Sequence, residues 1–309
     1  GLRIADLNPA LAGFKLDIVG FDACSLGHFE VAAELAGIAD IMIGSEAEEP
    51  LPGWNYAASL GKLAQDPRMA PRELATNIVS DYLQSNFDGY LTQAAIDLSV
   101  FRQDLVPALG DFINVSLDFA HHDHERIWAA RNASSTFLPR QDAVDLFEFL
   151  EELEGRNPSA PVLARLSRVL GLRDELVIHS GTGISFPDST SMAVYFPRLE
   201  DALSSAYSGL RFLDTGWGDY LAAARSPVPR PIISHNPATA DNTLGPYNIS
   251  ATLAGTGTGP FILFHRPASG TWQSVTMNIS GQTIHAEIPG QANGTRIEYY
   301  IMDSANGIP

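Results

Sequence analysis

The sequence predicts an α/β domain built on a parallel sheet, followed by a small all-β domain. Three observations carry this. Apolar runs alternate with helical patterns through the first two-thirds of the chain, a proline-rich stretch interrupts them, and short alternating segments separated by turn residues fill the rest. With 309 residues and 45% apolar content, the chain can bury one large core and one small one.

The elements follow in order. Asp17–Phe21 and Ile38–Gly44 read as buried strands, while Leu26–Leu35 and Pro71–Gln84 have helical spacing. Pro71 suits a first helical turn. This strand–helix–strand rhythm implies a parallel sheet covered by helices. "RSPVPRP" (225–231) places three prolines at alternate positions, a stiff extended connector that divides the chain into expected domains 1–226 and 227–309. Beyond it, Tyr247–Leu253, Phe261–His265, Val275–Ile279, Thr283–Ile288 and Ile297–Met302 alternate between turns of Gly, Pro and Asn. That pattern reads as an immunoglobulin-like or fibronectin-like β-sandwich, in which the glycine-rich "GTGTGP" (255–260) is a turn.

Charge and composition narrow the function. Thirty-six acidic residues against 19 basic ones give a formal charge of -17. Nucleic acids and anionic membranes need a basic footprint, so neither is the expected partner; cationic ligands such as Ca2+ or basic peptides are favoured. No apolar run reaches the ~18 residues that span a bilayer. Gly1 is not a translation start, so a processed or trimmed product is expected.

Cys24 is the one cysteine. It follows the strand Asp17–Phe21 and precedes the helix expected from Leu26, at the carboxyl end of a parallel strand, where α/β folds bind ligands. A helix N-terminus there would favour a thiolate. Asp22 lies two residues earlier and shares the strand face if the strand persists. A lone cysteine also serves as a small core residue and a strand-end Asp as a helix cap, so position alone leaves both readings open.

"VGFDACSLGHFEVAAELAGIADIMIGSEAEEPLPGWNY" resembles the nucleophile region of the clostripain-like cysteine peptidases, family C11. The matching features are Asp22-Ala23-Cys24, Glu30-Val31-Ala32, Ser45-Glu46 and Glu49-Pro50…Gly53-Trp54-Asn55-Tyr56. Weaker echoes run to about residue 225. The resemblance implies a caspase-like α/β fold and a Cys–His dyad. Cys24 would be the nucleophile, and its own N–H would belong to the oxyanion site. Asp22 would be the S1 carboxylate that pairs with a P1 Arg or Lys, buried and therefore costly to leave unpaired. Ser45 and Glu46, following the next strand, would line substrate subsites. Secretion, or an extracellular or periplasmic location, is expected with it.

The resemblance is incomplete in one respect. The family's catalytic His lies upstream of the Cys, as His-Gly after the preceding strand, and this chain has no His-Gly dipeptide. The expectation is therefore a heavy chain whose light chain, from the same precursor, carries the His and part of the sheet. Gly1 would then mark the self-processing site, left by cleavage after Lys or Arg.

Other groups compete for roles. His179, at the end of "ELVIH", is the rival base; His28, one turn past Cys24, suits packing. "HHDHE" (121–125) invites a zinc reading but has no second ligand cluster beside it. No cofactor is required, although Ca2+ is admitted by the acidic surface and by family precedent. From another functional class comes a caspase-like adhesion scaffold without a working dyad, which the missing His would favour.

Overall fold

The computed structural model describes residues 3–86, 89–137, 141–187, 189, 192–226, 232–237, 244–254 and 259–303. Two compact units divide the chain after Arg225. The strands of the larger unit are Leu16–Gly20 (β1), Ala39–Gly44 (β2), Thr92–Asp97 (β3), Ala143–Asp145 (β4), Val177–Thr182 (β5) and Ala193–Tyr195 (β6). Its first helices are Ile4–Leu11 (α1), Phe29–Leu35 (α2), Tyr56–Gln65 (α3) and Pro71–Ser85 (α4). Leu98–Val100 (α5) continues through a π-turn into Val106–His122 (α6). His124–Ala133 (α7), Leu146–Glu154 (α8), Ala160–Leu170 (α9), Arg173–Leu176 (α10) and Trp217–Arg225 (α11) complete the unit.

The main sheet has the order β1-β2-β3-β5. β1 and β2 run parallel, with Ile18 opposite Ile41 and Val19 opposite Met42. The other two pairings are antiparallel, so the sheet is mixed rather than parallel throughout. Connectivity explains it. Two helices, α3 and α4, separate β2 from β3 and bring the chain back to the end where β2 stopped, so β3 must run in reverse.

Period-2 alternation sends neighbouring side chains of each strand to opposite faces. Met42, Ala94 and Ile96 join the main core, whose largest members include Phe29, Phe101, Phe212, Trp217 and Tyr220. Ile41, Ile43 and Ala95 pack the other way, against Ala75 and Val79 of α4. Both faces are thus covered, as buried sheets require. Among the described residues no strand pairs with the outer edge of β1, whose Leu16, Ile18 and Val19 are only half-buried.

Helix α2 starts three residues later than its apolar pattern predicts. Ser25 takes a left-handed φ of 56° and its N–H reaches Ala47 O at 3.0 Å, while Gly27 N–H reaches Ser45 O at 2.7 Å. Residues 25–27 are therefore held by the loop after β2, and helical bonds begin only at the His28 carbonyl. Gly27 permits the approach: a Cβ there would meet the Ser45 carbonyl carbon at 2.8 Å.

The smaller unit, 226–309, contains two antiparallel sheets. Ile232–Ser234 (β7), Tyr247–Ala254 (β8), Phe261–Pro267 (β9), Gln273–Thr276 (β10), Asn278–Ser280 (β11), Thr283–Ile288 (β12) and Ile297–Asp303 (β13) form them, in the orders β10-β9-β13 and β11-β12-β8-β7. Ile249, Ala251, Leu253, Phe261, Leu263, Ile284, Ala286 and Ile288 make one shared core. Residues 227–231 of the proline-rich stretch and 255–258 of the glycine-rich one lie outside the described residues.

Candidate active site

Cys24 stands in the turn that leaves β1, exposed to solvent. The loop between β2 and α3 folds over it. Glu49 donates its backbone N–H to Cys24 Sγ at 3.3 Å. The same loop holds Asp22: Trp54 N–H donates to Oδ1 at 3.1 Å and the Tyr56 hydroxyl to Oδ2 at 2.9 Å. Two glycines make this fit. Gly53 adopts a φ of +62°, and a Cβ there would lie 2.6 Å from Asp22 Oδ1. Gly20, in β1, carries the Trp54 ring so closely that a Cβ would meet it at 2.5 Å.

Asp22 is exposed. This corrects the expected buried carboxylate: the side chain turns toward the loop at the surface and keeps contact with water. The helix-terminus activation expected for Cys24 is corrected too, because residues 25–28 separate it from α2.

Glu49 projects beside Asp22. Gln93 of β3 donates to its Oε1 at 3.3 Å, while Oε2 is buried without a hydrogen-bond partner among the described residues. Burial and the neighbouring Asp22 carboxylate push Glu49 up to about 8. Burial and the same carboxylate also raise the Tyr56 hydroxyl.

Ser45 and Glu46 are buried, contrary to a subsite lining. Thr92 explains why. Its Oγ1 accepts the N–H groups of Glu46 at 3.0 Å and Ala47 at 3.1 Å, and stands 3.0 Å from Ser45 Oγ. With two N–H groups already on Oγ1, Thr92 donates to Ser45, which in turn donates to Ala47 O at 3.0 Å. The Glu46 side chain turns inward and accepts from Ser189. Burial and the Asp145 charge raise its carboxyl well above the usual range. Gly1 lies outside the described residues.

The model of the clostripain family, Peptidase C11, matches residues 1–143. That span contains β1, Asp22, Cys24 and the loop over them. The likeness to the clostripain family thus lies in residues 1–143, which hold the nucleophile region. Among solved structures, a secreted C11 cysteine protease from Bacteroides thetaiotaomicron in complex with an irreversible peptide inhibitor is similar at 20% identity and a TM-score of 0.50. The match covers 72% of this chain and 63% of that one, so this chain spans under two-thirds of that protease's length. A B. fragilis cysteine protease is similar at 19% identity and a TM-score of 0.49, covering 71% of this chain and 94% of that one. No curated protein matches. The fold of the larger unit is the caspase-like α/β fold of C11 cysteine proteases.

His179, His28 and His122 make contacts of their own. His179 lies in β5, where its Nε2 is 3.0 Å from Ser80 Oγ of α4. Three strand spacings separate β5 from β1, about 14 Å at ~4.8 Å each, which counts against a dyad with His179. His28 opens α2 with Nδ1 3.8 Å from Glu30 Oε2, and burial lowers it to about 4, which keeps it neutral. Glu30 accepts the Tyr195 N–H at 2.8 Å, yet burial pushes it up to about 7. His122 sits 3.3 Å from Asp118 on α6. Among the described residues no group of three or more His, Cys, Asp or Glu side chains could hold a metal ion. Ca2+ enters no step below.

The loop residues Glu49, Gly53, Trp54 and Tyr56 carry contacts to Cys24 and Asp22 that spacing alone did not assign. Their signal was the Glu-Pro…Gly-Trp-x-Tyr match.

Proposed function

We propose that this chain is the nucleophile-bearing part of a cysteine endopeptidase that cleaves after Arg or Lys. The observation that supports it best is the exposed Cys24 thiol at the end of β1, sharing one loop with the Asp22 carboxylate. In the proposed reaction Cys24 Sγ attacks the scissile carbonyl and the electron pair moves to its oxygen, held by backbone N–H groups that include Cys24's own. Collapse breaks the C–N bond, and the departing amine takes its proton from a histidine. Water then hydrolyses the thioester.

That histidine is proposed to come from a companion segment of the same precursor. Support comes from the edge of β1, which among the described residues has paired backbone on one side only and carries half-buried apolar side chains. An added strand would satisfy it. The proposal includes self-processing by the same basic specificity, an extracytoplasmic location and an immunoglobulin- or fibronectin-like role for residues 227–309 as a separate domain. The exposure of Asp22 limits its ion pair, because water screens it.

Cys24→Ala should abolish peptide cleavage and labelling by thiol-directed inhibitors. Asp22→Asn should keep the thiol reactive while lowering kcat/KM on Arg and Lys substrates by about 10- to 100-fold. Turnover that survives Cys24→Ala, or a P1 profile indifferent to charge, would refute the reading. Intact-mass analysis of active protein tests the companion: a 33.3 kDa chain active without a second fragment would remove it.

A further inference from the structure

We infer that Glu49 is a second carboxyl group of the P1 pocket, one that releases its proton to solvent when a cationic side chain enters beside Asp22. The inference rests on the reading of Asp22 as the P1 partner. Glu49 is fixed from both ends, its N–H on Cys24 Sγ and its Oε1 on Gln93. Its remaining oxygen, Oε2, is buried, and its carboxyl group lies against the Asp22 carboxylate and the Trp54 indole N–H without a full hydrogen bond at Oε2 or at the indole nitrogen. A polar atom in that condition has lost water without replacing it.

The charges around it are of one sign. The turn after β1 presents Asp22 and Cys24, α3 presents Tyr56, and the neighbours from β3 and the loop, Gln93 and Trp54, are neutral. Asp22 already takes two donors, and Glu49 beside it is protonated near neutrality. A guanidinium or amidinium arriving at Asp22 supplies the missing positive charge. The Glu49 O–H bond then breaks heterolytically, the proton passes to buffer, and both carboxylates face the cation. Binding should strengthen with pH below about 8 and level off above it.

Isothermal titration of the active protein with benzamidine, in two buffers of different ionisation enthalpy, measures the proton directly. At pH 7 the wild type should release close to one proton per ligand, and its affinity should rise about tenfold per pH unit. Glu49→Gln should bind with no proton release and a flat pH profile. Release unchanged in Glu49→Gln, or none in the wild type, overturns the inference. If Glu49→Gln does not fold, the wild type at pH 9 decides: release must vanish there. Asp22→Asn separates the two readings. Undiminished benzamidine binding in that variant refutes the P1 assignment itself. Lost binding there, together with proton release persisting in Glu49→Gln, leaves the assignment standing and removes only the role of Glu49.

Discussion

Tyr56 donates its hydroxyl to Asp22 Oδ2 across 2.9 Å, tying the first residue of α3 to a carboxylate two residues before Cys24. The nucleophile turn and the β2–α3 loop are thereby one unit. The bond is also charge-assisted, the stronger kind.

Tyr56→Phe keeps the ring and deletes this donor, while the Trp54 N–H on Oδ1 remains. Inhibitor labelling of Cys24 should be unchanged, while kcat/KM on Arg or Lys substrates falls about 3- to 10-fold. Steady-state kinetics beside labelling rates test it. Equal loss in both would mean that the tyrosine supports the whole turn rather than Asp22.

Gly20→Ala forces a methyl group against the Trp54 ring. Such overpacking costs about 1–3 kcal/mol, and here it also displaces the residue whose N–H holds Asp22 Oδ1. Urea unfolding should show the lost stability, and basic-substrate turnover should fall with it. An unperturbed variant would show that the ring yields freely.

His179→Gln tests the rival dyad. The substitution removes an imidazole that is bonded to Ser80, three strands from β1. Cleavage and labelling should stay within about threefold of wild type. A loss of about 100-fold or more would return His179 to the reaction.

Glu30→Gln should change how stability depends on pH. The folded carboxyl titrates near 7, above its ordinary value of 4.5, so its contribution is complete below 4.5 and is lost as pH rises through 7. The amide has no such loss. Relative to wild type the variant should therefore gain stability between pH 5 and pH 8, by about 3 kcal/mol at most. Denaturant midpoints at the two pH values measure it, and parallel curves would contradict a buried, neutral Glu30.

Much of this protein was legible in one dimension. The strands Asp17–Phe21 and Ile38–Gly44 were visible as apolar runs, and the helix at Pro71 by its spacing and first-turn proline, because burial of a face leaves a period in the chain. The Asp-Ala-Cys motif and the Glu-Pro…Gly-Trp-x-Tyr loop were visible as local patterns. Only the tertiary structure decided where side chains point once distant backbone competes for them. Ser45 and Glu46 look like a solvated acidic loop until Thr92, from β3, takes their turn inward. Helix α2 begins late because Ser25 and Gly27 find carbonyl partners at Ala47 and Ser45. His179 looked like a base beside Cys24 until strand order put two strands between β1 and β5. Local periodicity records which residues leave water; strand order, direction and long-range hydrogen bonds depend on contacts between segments far apart in the chain, and no window of sequence contains both partners.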